Sequence, residues 1–320
     1  MMPDCLTSRK WTKLGRIYEC IGSNESFFKS HSMRVVPVQL PCDNVRLFFS
    51  SRCENDMMHP TYIDVAKDNP TEILHINADP LLKLGEPGTF DDSGITIGSI
   101  IQIDGRFMVY YTGWKRRRYG VSFELSIGLA ILSDDLSRMD KYSIGPIIGQ
   151  STHNPYLSAG PFVIQRDDGG YQMYYCSGDA WLQYPHGPEP IYTVYVVSSE
   201  DGINWDLSTK DKCIEYEYDG EVISAPWVVK KNDHWMMYYC YRGSRDKLSK
   251  NYNIGYAKSV DGLNWQRCDK EVGIEFSKSG WDAEMMCYPA FFSSGQCDLL
   301  FYSGNGVGRD GFGVAEASST

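Results

Sequence analysis

Five segments of this chain join a tight turn to an aromatic strand: VRLFFSSR (45–52), GRFMVYYTGW (105–114), GGYQMYYCSGDAW (169–181), DHWMMYYCYRG (233–243) and CDLLFYSGNG (297–306). Aligned on the second aromatic, they place Phe49, Tyr111, Tyr175, Tyr239 and Tyr302 at intervals of 62, 64, 64 and 63 residues. A repeat of this period constrains the fold more than any other feature, because the chain must then be several copies of one supersecondary unit. Each aromatic strand follows a more apolar run: MRVVPVQL, GITIGSIIQI, SAGPFVIQR, ISAPWVVKK and MMCYPAFFS. Each precedes a third strand: PTYIDVAKD, SIGLAILSD, YTVYVVSSE, NIGYAKSVD and GFGVAEAS. After the third and fourth of these comes one signature, SSEDGINW and KSVDGLNW, ending at Trp205 and Trp265. Asp-Gly is a two-residue hairpin turn, so each Trp is predicted to open a fourth, outer strand.

A four-stranded unit of this kind cannot bury both its faces alone, whereas copies stacked radially can. The predicted fold class is therefore all-β: one domain, a five-bladed β-propeller of four-stranded antiparallel blades at about 29–80, 81–142, 143–207, 208–268 and 269–320. A sandwich does not predict so long a repeat. The last copy stops after its third strand. WTKLGRIYEC (11–20) opens with Trp and alternates afterwards, as the fourth-strand segments after Trp205 and Trp265 do, so it is expected to complete that blade and remove an exposed edge.

With 41 acidic against 31 basic residues the formal charge is −10, which argues against nucleic acid or an anionic membrane as partner. The ten cysteines are scattered without CxxC or zinc-like spacing and read as reduced thiols. There is no apolar N-terminal stretch and no run of eighteen apolar residues, so the expected location is cytoplasmic. No zinc-protease motif, phosphate-binding glycine loop or nucleophile elbow occurs, and no metal or other cofactor is expected.

The segments GTFDDSGI, YYTGW, SAGPFV with MYYCSG, SAPWV with MYYCYR, SVDGLNW, and GWDAEM with FYSGNGVGRDGFGVAE resemble the five-bladed propeller clan of glycoside hydrolases that includes arabinanases, β-xylosidases, invertases and mannoside phosphorylases. The resemblance spans nearly the whole chain. It is closest to uncharacterised bacterial members associated with surface-polysaccharide genes. It implies three carboxylates directed into a central funnel, because cleaving a glycosidic bond takes a proton donor at the leaving oxygen and a base or nucleophile on the opposite face. The sequence departs from this where the third and fourth first strands open with Ser158-Ala159-Gly160 and Ser224-Ala225-Pro226, without an acid.

The carboxylates preceding first strands are Asp91 and Asp92 in the second repeat, and Asp282 and Glu284 in the fifth. Strand alternation sends neighbours to opposite faces, so one of Asp91 and Asp92 is expected to face the funnel as base, with Glu284 as acid and Asp282 beside it. The competing reading is that these acids cap turns, as Asp commonly does. Arg52 and Arg242 occupy matching slots at the ends of second strands, which suits bidentate capture of a carboxylate or phosphate, or an ion pair within the scaffold. Trp114 and Trp181 occupy another matched slot and are candidates for stacking on a sugar face or for packing between blades. His31 and His153 both precede first strands and could line the funnel. Asn305, in the glycine-rich loop of the fifth repeat, is a further candidate sugar contact. Glu215, Glu217 and Glu221 read as a solvated loop, and Arg166-Asp167 as a hairpin tip.

The function expected is thus action on a glycosidic bond, glycoside hydrolase-like, with an anionic or phosphorylated sugar as ligand. The alternatives are a glycosyltransferase or phosphorylase of polysaccharide biosynthesis, or a non-catalytic glycan-binding propeller; fold alone does not choose among them.

Overall fold

The computed structural model describes residues 9–231, 234–243, 251–295 and 297–318. Among these residues it forms twenty strands in chain order. β1 (Thr12–Tyr18) stands alone at the N-terminus. There follow β2 (Phe28–Gln39), β3 (Val45–Cys53), β4 (Met58–Val65) and β5 (Ile73–Ile76), then β6 (Gly94–Ile103), β7 (Arg106–Arg116), β8 (Phe123–Leu132) and β9 (Met139–Lys141). Next come β10 (Ser158–Gln165), β11 (Tyr171–Tyr184), β12 (Gly187–Ser199) and β13 (Asp206–Lys212), then β14 (Val222–Lys230), β15 (Trp235–Arg242), β16 (Asn253–Ser259) and β17 (Gln266–Arg267). The series ends with β18 (Cys287–Ser293), β19 (Cys297–Ser303) and β20 (Phe312–Ser318). No helix among the described residues is long and apolar enough to cross a membrane.

The fold is all-β and built from antiparallel meanders. β10 to β13 and β14 to β17 are four-stranded sheets in sequence order, while β2 to β9 form an eight-stranded sheet whose halves meet through a single parallel pair, Met58 with Gly94. In the remaining sheet, β18, β19 and β20 are completed by β1, which pairs antiparallel with β20 from Thr12 opposite Glu316 to Tyr18 opposite Phe312. The first strands pack on one another in a cycle: β2 on β6, β6 on β10, β10 on β14, β14 on β18 and β18 on β2. Apolar clusters fill the gaps between successive meanders. One joins Tyr110 and Ile127 to Met173 and Val197, and another joins Tyr238 and Tyr256 to Leu300 and Tyr302.

The aromatic doublets work on both faces of the second strand, because neighbours in a strand point oppositely. The first Tyr reaches the next meander. The hydroxyls of Tyr110 and Tyr174 donate to the Gly202 and Gly262 carbonyls at 2.7 and 2.8 Å, and Trp205 and Trp265 meet these rings edge-on at 6.1 and 5.9 Å. Trp11, just before β1, meets Tyr238 in the same way at 6.1 Å, so the N-terminal strand docks by the contact that seats its counterparts. The second Tyr runs back over the third strand, whose cross-strand residue is Gly128 opposite Tyr111 and Gly255 opposite Tyr239. A Cβ there would lie 2.3 and 2.2 Å from the rings, so only glycine fits.

One sequence expectation is corrected. Asp201-Gly202 and Asp261-Gly262 do not form two-residue hairpins. β12 ends at Ser199 and β13 begins at Asp206, and the connection is held by the Asp201 carboxylate, which accepts from the backbone N–H groups of Ile203 and Asn204; Asp261 does the same for Leu263 and Asn264. These hydrogen bonds to the charged form hold both carboxyl pKa values down at about 2, against the opposing effect of burial.

Candidate functional site

Every first strand is irregular at the same place. Register shifts fall between Met33 and Val36, Ile97 and Ser99, Ala159 and Phe162, Ser224 and Trp227, and Cys287 and Ala290. Arg34, Gly160, Ala225 and Tyr288 at these bulges have φ of 58°, 63°, 52° and 54°, a left-handed conformation that is strained for the three non-glycine residues. Their N–H groups turn sideways and donate to the small residue after the second aromatic of the preceding meander: Arg34 to Ser303, Gly160 to Thr112, Ala225 to the Cys176 sulfur and Tyr288 to that of Cys240. Ile97 donates to Ser50 in the same way. Bulges re-aim side chains, and here they aim them at the axis.

The result is a cavity of about 70 Å³ to which all five first strands contribute: Arg34, Thr96, Gly160, Ser224 and Tyr288, with Trp114, Phe123 and Tyr192 on its wall. Three residues beyond Ser224, Trp227 packs against four of the clusters between meanders, a reach open only to a side chain on the axis. None of the lining residues is a carboxylate. Arg34 is 8% exposed, and among the described residues its guanidinium has no carboxylate partner and donates no hydrogen bond. The ionisable groups around it are Cys176, Tyr288 and Cys240, all of which burial keeps in their neutral forms.

Among the residues singled out from sequence, Trp114 lines this cavity and donates from its indole N–H to Thr96 at 3.2 Å. It meets Phe123 at 5.1 Å, and Phe123 meets Trp181 at 5.4 Å, so the two tryptophans flank one phenylalanine in an aromatic ledge. Asp91 and Asp282 do not line it. Asp91 is fully buried and accepts from Tyr111 at 2.9 Å and Lys141 at 2.6 Å; Asp282 accepts from Tyr302 at 2.9 Å and Lys13 at 2.6 Å. Both belong to a repeated clamp of second-strand Tyr, loop acid and fourth-strand cation. The fourth meander repeats it with Tyr239, Asp269 and Arg267, and the third substitutes Asn154, which accepts from Tyr175 at 2.9 Å. Asp92 caps its loop, accepting from the Gly88 N–H and the Ser93 hydroxyl.

Glu284 is exposed; its backbone N–H is held by Asn305, but no hydrogen bond to its carboxylate occurs among the described residues. Asn305 is buried and fully engaged, accepting from the N–H groups of Glu284 and Met285 and donating to Gly280 and Asp310. Arg52 is ion-paired with Asp56 at 2.8 Å, and Arg242 is buried against Glu189 at 3.3 Å and the Tyr252 hydroxyl at 3.2 Å. His31 is half-buried at the start of β2, and burial with the nearby Arg52 lowers its pKa to about 4. His153 is exposed and contributes its carbonyl to Lys210. Sequence reasoning missed Arg34, Tyr288 and Ser224. Arg34 had left one signal, a lone charge in an apolar first-strand run.

Meanders packed in a cycle around an axial cavity are the propeller architecture, and glycoside hydrolases of that fold are among the solved structures similar to this one. One, a glycoside hydrolase, superposes with a TM-score of 0.73 at 16% identity, covering 97% of this chain and 92% of its own. Another, from the GH130 family of mannoside phosphorylases, which contains glycoside hydrolases that target β-1,2 mannosidic linkages in Candida mannan, gives 0.68 at 14% identity over 100% and 98%. No family model matches the sequence. The chain belongs to the family of the uncharacterised protein Rv1502 of Mycobacterium tuberculosis, to which it is 33% identical over 308 residues, 95% of this chain and 98% of the relative.

Proposed function

We propose that the chain is a single five-bladed propeller, with blades at about 29–80, 81–142, 143–207, 208–268 and 269–320 plus 11–20, that acts on a glycosidic bond of a carbohydrate seated at the mouth of the axial cavity. The closed cycle of first strands supports the blade count. The observation that carries the functional reading is the ledge of Trp114, Phe123 and Trp181 beside a pocket rich in hydroxyls, since sugar rings present C–H faces to aromatics and hydroxyls to polar groups. Of the candidate acids, Glu284 is the one whose carboxylate is not taken up by a clamp or a loop cap, so it is the proton donor in this reading. A cytoplasmic location accords with the nine unpaired thiols among the described residues.

The test is a Glu284→Gln protein assayed on glycosides with poor and with activated leaving groups. A general acid matters greatly for the first and little for the second. Unchanged turnover excludes Glu284. A second reading, carbohydrate binding without hydrolysis, is favoured by the carboxylate-free lining, because hydrolysis needs two carboxyls roughly 5–9.5 Å apart across the bond. Sugar binding that depends on Trp114, without turnover of any glycoside, selects this reading.

A further inference from the structure

Arg34 stands apart from the other buried cations. Arg46 has Asp64 and Arg242 has Glu189, and the partly buried Lys13 and Arg267 have Asp282 and Glu221, whereas Arg34 faces a cavity of neutral groups. A guanidinium does not shed its proton to escape burial, and a cation that is 8% exposed and has no counter-charge among the described residues carries a desolvation cost. The strained φ of 58° adds to that cost. Its N–H is fastened to Ser303, so the bulge that delivers the side chain to the axis is pinned from the neighbouring sheet. Tyr288, at the bulge of the neighbouring first strand β18, has a hydroxyl that makes no hydrogen bond among the described residues and lines the same space.

We infer that the axial cavity is a receptor for one small oxyanion, the phosphate or carboxylate group of an acidic sugar, gripped by the Arg34 guanidinium and the Tyr288 hydroxyl. This rests on the reading of the site as a carbohydrate site and gives that ligand a charge and a direction. The cavity, at about 70 Å³, is under half of the roughly 150 Å³ that accommodates a benzene ring. A pyranose does not fit inside it, but a charged head does. The ligand therefore enters anion first, and its ring remains above, at the ledge of Trp114 and Trp181.

The full chain is titrated calorimetrically with inorganic phosphate, glucose 1-phosphate, glucuronate and glucose, as wild type, Arg34→Gln, Arg34→Lys, Tyr288→Phe and Trp114→Ala. Binding of phosphate or of either acidic sugar that weakens at least about tenfold in Arg34→Gln supports the inference, with Lys restoring part of it. Which probe binds tells a phosphate ligand from a carboxylate. Trp114→Ala should weaken the acidic sugars by a larger factor than inorganic phosphate. Without ligand, Arg34→Gln should melt higher than wild type, since an uncompensated charge has been removed, and added phosphate should no longer raise its Tm. Equal anion affinity in wild type and Arg34→Gln, or a lower unliganded Tm for Arg34→Gln, overturns the inference. Trp114-dependent binding of glucose without preference for acidic sugars overturns it while sparing the carbohydrate reading; no binding of any probe removes both.

Discussion

The clamps within the blades and the axial cavity use the same chemical groups in opposite ways. In the clamp, Asp91 is wholly buried yet satisfied by Tyr111, Lys141 and Thr89, and Asp282 by Tyr302 and Lys13. At the axis, Arg34 is nearly as buried and its guanidinium has no ion-pair or hydrogen-bond partner among the described residues. A buried charge with a complete set of partners belongs to the scaffold; one left without partners in a cavity is available to a ligand. The first meander sharpens the contrast. It carries Phe49 where the others have Tyr, so it has no hydroxyl to donate in a clamp, and it is the blade that supplies Arg34 to the axis.

The comparison breaks most severely if the clamp acids are catalytic after all. Asp282→Ala strands Lys13 and the Tyr302 hydroxyl, and should lower unfolding free energy by about 3–5 kcal/mol while leaving ligand affinity intact; chemical denaturation beside a binding titration checks both. Normal stability with lost turnover would move Asp282 into the chemistry. Closure of the ring is tested by Trp11→Ala, which removes an indole that is 5% exposed and packed on Tyr238 and Phe291. A loss of about 3–5 kcal/mol is expected in the same assay. A gentler probe is Tyr111→Phe, which deprives the Asp91 carboxylate of one donor but keeps the ring over Gly128; about 1–3 kcal/mol should be lost, with no change at the axis.

A further effect is that of pH through His31. Its pKa falls from 6.5 to about 4 on folding, so between these values the unfolded chain binds more protons and stability declines as pH drops. His31→Gln should flatten the stability profile in that window. A profile unchanged by the substitution would mean that His31 titrates alike in both states.

The repeat was legible because each blade needs the same parts at the same places. The aromatic doublets recur near one period, Trp205 and Trp265 each precede an outer strand, and the kinship of WTKLGRIYEC with the segments after them placed β1 at the edge of β20. The candidate site was less legible. Trp114 could be singled out because it follows an aromatic doublet closely, as Trp181 does. Asp91 and Asp282 looked like site residues because a polar residue before a first strand reads the same whether it faces the axis or a tyrosine hydroxyl, and strand alternation could not choose between them.

By itself, then, the sequence determined the number and kind of strands and their order, because period-two alternation and turn chemistry are local. Only the tertiary structure decided which charges are neutralised. The partner of Asp282 is Lys13, 269 residues away, and the Arg34 N–H is fixed by Ser303 at the same separation. Pairing at such distances along the chain depends on where the ring closes, and so does the placing of Arg34 at the axis with no carboxylate partner among the described residues.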